Sequence, residues 1–407
     1  MAERTGGLSS PCPGYESATL VGVGAFAHVY AARARGCGAR VAVKRVACSR
    51  HDSDSDRRRL LREIKILREL RGCGTVCQLR RVVVLGGDGG GASASLSGRD
   101  VLLVTELAQT DLHAALFSAA AAGAGGPGAS WLTVAHAQLF LYQLLCALKF
   151  THSAGIVHRD INLRNLLVNA NGDLRLCDFG LATHAFDGLE WRLQKTKSDA
   201  LLPSASLAPE VLLQWKRCGK PADVWAAGVV LATLLNVLAA SASGGAAAAA
   251  GLTAGNSGPF RTADPLTDTG QLVEVFRVVG LPDQRVLKNI RMVASSRAAV
   301  DAATREFNAR LAEPGNDPGG RPCGWNKWCS ENGLATHLLR FDAKQRPTAA
   351  QALEHEWFQE LRNDLDEPGF AGNARDVEAI FRDERDGEGN ETWFATELDR
   401  LAAADVL

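Results

Sequence analysis

Apolar positions in the first hundred residues come in short runs of the kind that build half-buried strands, and beyond them they recur at helical spacing. One run covers Leu20 to Val23 and a second covers Val41 to Val46, both rich in β-branched residues and both predicted as strands. A helix is predicted over Arg57 to Leu70, where Leu60, Leu61, Ile64 and Leu67 share neighbouring turns. After Leu107 the periodicity is helical, over Ala135 to His152 and again from Val224 onward. The pattern predicts an α+β chain of two lobes: a small antiparallel-sheet lobe with one helix over residues 15–107, then a larger, mainly helical lobe over 108–361. The stretch Ala108 to Asp111 is the candidate hinge.

Four stretches break this plan: Gly86 to Gly98, Ser118 to Ser130, Ala239 to Gly258 and Pro314 to Gly324. They are built largely of Gly, Ala, Ser and Pro, bury little, and read as inserted surface loops. Residues 1–14 are polar and rich in Gly, Ser and Pro, and are expected to be disordered. Residues 362–407 read as a charged extension with one weakly amphipathic patch, Asp376 to Leu401.

Composition narrows the function classes. Forty-five Lys and Arg balance forty-five Asp and Glu, so no global field draws the 407-residue chain to nucleic acid or to an anionic membrane. The longest apolar run, Val224 to Ala240, opens beside Asp223, contains Asn236 and is shorter than the roughly twenty residues of a membrane span. A buried core helix is expected there, with Asp223 capping backbone amides at its start. Ten cysteines lack the paired spacing of a zinc site and follow no secretory signal, which predicts reduced thiols and a cytoplasmic or nuclear protein.

Candidate chemistry begins at Gly22-Val23-Gly24, a tight turn between two strands whose amides could lie over phosphates without side-chain obstruction. By itself such a pair is an ordinary hairpin turn, and Ala27 stands where a third glycine is usual. Lys44, at the end of Val41-Ala42-Val43-Lys44, is a lone cation on an apolar strand, which is costly unless paired. Glu63, set among the apolar residues of the predicted helix, is its candidate anion.

Three further motifs follow in order: His158-Arg159-Asp160-Ile161-Asn162-Leu163-Arg164-Asn165, then Asp178-Phe179-Gly180, then Ala208-Pro209-Glu210. With these in place the sequence resembles the eukaryotic protein kinase superfamily over about Leu20 to Leu361. The resemblance implies a bilobal kinase fold, ATP and Mg²⁺ as cofactors and a protein as substrate. It gives Asp160 the role of orienting the acceptor hydroxyl and taking its proton, and Asn165 and Asp178 the role of magnesium ligands. It assigns Gly22, Val23, Gly24, Val29, Ala42, Lys44, Glu63, Thr105, Glu106, Leu107 and Leu167 to ATP binding. His158, Arg159, Phe179, Gly180, Asp223 and the pair Glu210 and Arg346 become structural residues. Arg159 further implies control by phosphorylation, with Thr196 and Ser198, and beyond them Ser204 and Ser206, as acceptors placed by an upstream kinase. A regulatory subunit is a second possible partner.

The sequence departs from the family's pattern in informative places. Most serine/threonine kinases carry a lysine two residues after the catalytic aspartate, and here Asn162 stands there. Arg164, four residues after Asp160, matches the position where many tyrosine kinases place a compensating arginine, and Pro203 also matches them. The surrounding text points elsewhere. Leu102 to Leu107, Thr110-Asp111-Leu112-His113, Tyr142 to Leu145 and His152-Ser153-Ala154 resemble the MAP kinase and cyclin-dependent kinase group. Gly24 to Tyr30, Asp223 to Val229, Pro259-Phe260 and Leu272 to Gly280 are similar to the cell-division-cycle kinase that fires replication origins. Ser198-Asp199-Ala200 replaces a Thr-x-Tyr, which excludes dual phosphorylation of that type. Two functions remain open at this point: a serine/threonine kinase in which Arg164 replaces the missing lysine, and a pseudokinase that binds partners without transferring phosphate.

Overall fold

The computed structural model describes residues 15–24, 27–48, 54–86, 99–117, 131–185, 207–213, 219–242, 268–290, 292, 294–312, 333–363, 367–386 and 391–404. They form two compact units, the first drawn from Met1–Gln109, Asp178–Leu181 and Gly372–Leu407, the second from Thr110–Cys177 and Ala182–Ala371.

In the first unit, β1 (Tyr15–Val23), β2 (His28–Ala34), β3 (Arg40–Cys48), β4 (Leu79–Leu85) and β5 (Arg99–Glu106) make an antiparallel sheet in the order β1-β2-β3-β5-β4. The two-residue repeat of β3 divides its side chains between faces. Val41 and Val43 enter a core with Tyr15, Ala32, Leu102 and Val104, which puts Ala42 and Lys44 on the opposite face. Register then sets neighbours: Lys44 lies opposite Val29 on β2 and Leu103 on β5, and Ala42 lies opposite Thr105. A slip of one residue would bury Lys44 among valines and expose the core set. Between β3 and β4 runs α1 (Asp54–Glu69), which buries Leu60, Leu61, Ile64, Ile66 and Leu67.

The second unit is mainly helical. Its chain order is β6 (Thr110–Asp111), α2 (Leu112–Phe117), α3 (Val134–Ser153), β7 (Ile156–Val157), β8 (Leu166–Val168), β9 (Leu174–Leu176) and β10 (Thr183–His184). Then come α4 (Pro209–Leu212), α5 (Lys220–Ala242), α6 (Asp268–Val279), α7 (Gln284–Asn289), α8 (Ala294–Ala312), α9 (Leu334–Leu338) and α10 (Ala349–Leu353). Helix α3 starts at a capping box in which Thr133 and His136 satisfy each other's backbone amides. It packs against α5 and α10, and α5 packs in turn against α9. Gly228 of α5 permits that last approach, because a Cβ there would lie 2.9 Å from Leu338 Cβ. Among the described residues one helical stretch, Lys220–Ser241, is long and apolar enough to cross a membrane. It lies inside this unit, with Trp225, Ala227 and Leu234 fully buried.

The segment that the sequence marks as a charged extension divides. Glu367 stays with the second unit, accepting from the Tyr142 hydroxyl at 3.2 Å, Lys149 Nζ at 3.1 Å and Arg362 Nε at 3.3 Å. The chain then returns to the first unit as α11 (Ala374–Asp386) and α12 (Glu391–Ala403). Val377, Ile380 and Phe381 of α11, and Phe394, Leu398 and Leu401 of α12, repeat at helical spacing and are buried. Helix α11 packs on α1, and α12 packs on β4.

Candidate active site

In the first unit the chemistry gathers around Lys44. Its Nζ donates to both carboxylate oxygens of Glu63, at 2.7 and 2.8 Å, and lies 3.6 Å from Asp178 Oδ1. Glu63 is 6% exposed. Burial raises its carboxyl above the ordinary glutamate value, against the attraction of Lys44 and with the help of the Asp178 charge. A cation between two carboxylates, one buried and one open, is held in place.

Asp178 occupies the left-handed region at φ 64°, which is costly for a residue with a Cβ. Local hydrogen bonds hold it there. Gly180 N donates to Asp178 Oδ1 at 3.3 Å, and Arg62 Nη1 donates to the Gly180 carbonyl at 3.2 Å, while Phe179 between them is fully buried. At the turn between β1 and β2, Gly24 N donates to the Ala27 carbonyl at 2.8 Å, and a Cβ on Gly22 would sit 3.6 Å from Val29. Leu20, Val21 and Val23 on β1 are solvent-exposed. At the other end of the sheet Thr105, Glu106 and Leu107 are half-buried. Glu106 N donates to the Gln78 carbonyl, and its carboxylate accepts from Gln78 N at 3.1 Å. The Gln78 side chain also bonds Gly72 N, the Cys73 carbonyl and the Val76 carbonyl. No motif marks Gln78 in the sequence, because its role consists of contacts to backbone.

In the second unit, residues 158–165 connect β7 to β8. Asp160 is held on both carboxylate oxygens: Asn162 Nδ2 donates to Oδ1 at 2.9 Å and Asn165 Nδ2 donates to Oδ2 at 2.8 Å. Its carbonyl accepts from the same two amides. The Asn162 Oδ1 accepts from Arg164 N and Asn165 N, capping the short turn Leu163–Asn165. His158 joins this loop to the end of β9, its Nδ1 accepting from Asp160 N at 3.2 Å and its Nε2 donating to the Cys177 carbonyl at 3.0 Å. Gln143 of α3 fastens the β8–β9 turn, donating to the Gly172 carbonyl and accepting from Leu174 N. Gln143 lies in the family-like stretch Tyr142 to Leu145, but these backbone contacts are not written in the sequence. Leu167, half-buried on β8, pairs with Asp111 and Arg175.

Asp223 corrects the sequence expectation. It does not cap its own helix; its carboxylate accepts from His158 N and Arg159 N, each at 2.8 Å, and contacts His152 Nε2 at 2.9 Å. Arg159 sits in the left-handed region at φ 70°, and these bonds stabilise that conformation. Burial alone would raise the Asp223 carboxyl, yet the hydrogen bond and charge of His152 and the backbone donors bring it below its ordinary value. Arg346 and Glu210 meet at 2.6 and 2.7 Å, are 6% and 1% exposed, and the guanidinium lies 4.9 Å from the centre of the Trp225 ring. They do not face solvent.

Arg164 stands apart from Asp160: its side chain is exposed, and Nη2 lies 3.3 Å from His113 Nε2 on α2. With its amide tied back to Asn162, the turn aims the side chain outward. The place beside the aspartate belongs to Asn162. Thr196, Ser198, Pro203, Ser204 and Ser206 lie outside the described residues.

Each unit offers a hard oxygen of the kind magnesium takes. In the second, Asn165 spends both amide hydrogens on Asp160, leaving Oδ1 without a partner among the described residues; in the first, the Asp178 side chain is 45% exposed. Among the described residues no cluster of three or more His, Cys, Asp or Glu could hold a metal alone. That suits an ion whose remaining ligands come from phosphates and water.

A family model described as the protein kinase domain matches residues 15–358. The chain is 29% identical over 356 residues to mitogen-activated protein kinase HOG1A of Wallemia ichthyophaga, covering 87% of this chain and 80% of that one. It is 30% identical over 363 residues to mitogen-activated protein kinase hog1 of Trichoderma harzianum, covering 87% and 82%. With mitogen-activated protein kinase MPS1 of Pyricularia oryzae it shares 31% over 311 residues, covering 76% and 63%.

Proposed function

This chain belongs to the protein kinase family, near its MAP kinase group, and from that premise we propose that it transfers the γ-phosphate of Mg-ATP to a serine or threonine hydroxyl of a protein. The observation that carries the reading is the Asp160 carboxylate, gripped on both oxygens by Asn162 and Asn165. An oriented carboxylate of this kind accepts the proton of an acceptor hydroxyl whose oxygen attacks the γ-phosphorus. The bond from that phosphorus to the bridging oxygen breaks, and ADP leaves with the electron pair. Lys44, anchored by Glu63, supplies positive charge to the phosphates. Asn165 and Asp178 would hold the magnesium ion, which would supply charge neutralisation on the phosphate oxygens.

One observation favours a slower enzyme, or a binding module that has kept the kinase fold. Asn162 gives Asp160 a hydrogen bond but no charge, and Arg164 lies against His113. An assay with radiolabelled ATP and generic protein substrates, run beside Asp178→Asn, separates the readings. Label in protein that disappears in the variant is the expected result; none above the variant's background would reject phosphotransfer. An upstream kinase acting on Thr196 or Ser198, and a cytoplasmic or nuclear location, belong to the same proposal. The location rests on thiols outside disulfides, those of Cys37 and Cys73.

A further inference from the structure

The helix that carries Glu63 has a second face, which does not touch Lys44. Residues two apart on an α-helix point about 200° apart, so Lys65 looks away from the side that Glu63 presents to the sheet. A lysine on an outer face is ordinarily well solvated. Here its side chain is 12% exposed, because α12 covers it. Lys65 Nζ lies 2.9 Å from Glu397 Oε1 and 6.0 Å from the centre of the Trp393 ring. One turn on, Arg68 donates to the carbonyl of Leu401, among the last carbonyls of α12, which have no partner within their own helix. Arg99, at the start of β5, holds Asp399 at 2.9 and 3.1 Å. The C-terminal helix is thus tied by charge both to α1 and to the sheet that α1 must face.

We infer that α12 is a built-in positioning element for the phosphate-gripping pair, acting through Glu397 on Lys65 to hold α1 where Glu63 meets Lys44. The inference rests on the proposed use of Lys44 toward ATP. Three features support it beyond the contacts themselves. The bonds run from opposite sides of one helix, Glu63 to Lys44 on β3 and Lys65 to Glu397 on α12, so a shift of α1 would break both. Glu397 is held ionised, its carboxyl lowered to about 2 by the Arg400 hydrogen bond, with burial opposing and Lys65 adding to the effect. Beneath the charged contacts, Phe394, Leu398 and Leu401 are buried, so α12 is seated and not merely tethered. The surface of α1 that a separate regulatory subunit could grip is occupied in cis.

The test is a charge exchange in the full chain: Glu397→Lys, Lys65→Glu, the two together, and Glu397→Gln as a milder variant that keeps the packing. Readouts are Mg-ATP affinity by calorimetry and hydrogen exchange in the peptide spanning α1. Each single charge reversal is expected to weaken nucleotide binding by roughly tenfold and speed exchange in α1, with Glu397→Gln in the same direction by a smaller amount. The double variant is expected to recover most of both losses, because Arg400 is exposed and can turn from the new lysine. Where turnover is measurable, KM for ATP should rise more than kcat falls. Nucleotide binding unchanged or tightened in the single variants overturns the inference, and so does a folded double variant that recovers nothing. Should no variant phosphorylate protein while affinity and exchange move as stated, phosphotransfer fails and the positioning role stands.

Discussion

The two groups of catalytic-type residues are built on different physics. In the sheet unit Lys44 is held by charge, through a bond to a residue nineteen positions away on another element. In the helical unit Asp160 is held by neutral amides two and five positions away on its own loop. An ion pair between a strand and a helix depends on where the helix lies, so it responds to whatever moves α1. A network closed within six residues depends first on its own turn, and meets distant packing only through the anchoring of His158 and Arg159 to Asp223. The family's pattern is kept in the first group, and it is in the second that Asn162 replaces lysine. The loop's geometry survives that replacement because an amide can make the same hydrogen bond; what is lost is charge.

The sharpest test of the contrast is Asp160→Asn, which keeps the side chain's size, removes the proton acceptor and gives up one of the two amide hydrogen bonds. A fall in kcat of roughly 10²- to 10⁴-fold is expected, with Mg-ATP affinity little changed, measured by steady-state phosphorylation and calorimetry. Glu63→Gln should produce the opposite signature, nucleotide binding weakened by about tenfold, because Lys44 loses its fixed counter-charge. This pair also carries a pH dependence. Burial raises the Glu63 carboxyl, so as pH falls Glu63 takes up its proton above the pH at which an ordinary glutamate would, and nucleotide binding should weaken there. The sign for folding is reversed. The native state holds that proton more tightly than the unfolded chain, so this group's contribution to stability falls as pH rises from the ordinary glutamate value through the raised one. In the Gln variant, titrations of binding and of denaturant midpoint should both lose that dependence.

Smaller effects probe the missing cation. Asn162→Lys restores charge beside Asp160 and should raise kcat by roughly tenfold, whereas Asn162→Ala removes the amide's bonds to Asp160 and to the turn and should lower it by about fivefold. Equal rates in Asn162→Lys and the unaltered chain would show that the charge is supplied from elsewhere. Smallest of all is Arg164→Ala. With its guanidinium against His113, its removal should change kcat by less than about twofold. A loss of a hundredfold would make Arg164 the compensating cation and cancel the contrast between the two groups.

Much of this was readable without a structure. The strand predicted over Val41 to Val46 is the centre of β3, and the helix predicted over Ala135 to His152 is α3 to within one residue at each end. These are local matters, written in the spacing of neighbouring side chains. The contacts of Gln78 and Gln143 were invisible for the converse reason: their partners are backbone groups that any sequence possesses.

By itself, then, the sequence determined which segments are strands and helices, and which side chains carry charge suited to phosphate chemistry, since periodicity and residue type are properties of the chain alone. Tertiary structure decided where those side chains point. It turned Asp223 from its own helix to two amides some sixty-five positions away, gave Asp160 to Asn162 in place of Arg164, and brought residues 374–403 back onto α1. Each of these outcomes is a choice among partners far apart in the chain. Hydrogen-bonding capacity is fixed by residue type, but which donor meets which acceptor is set only when packing of the apolar faces brings them within about 3 Å.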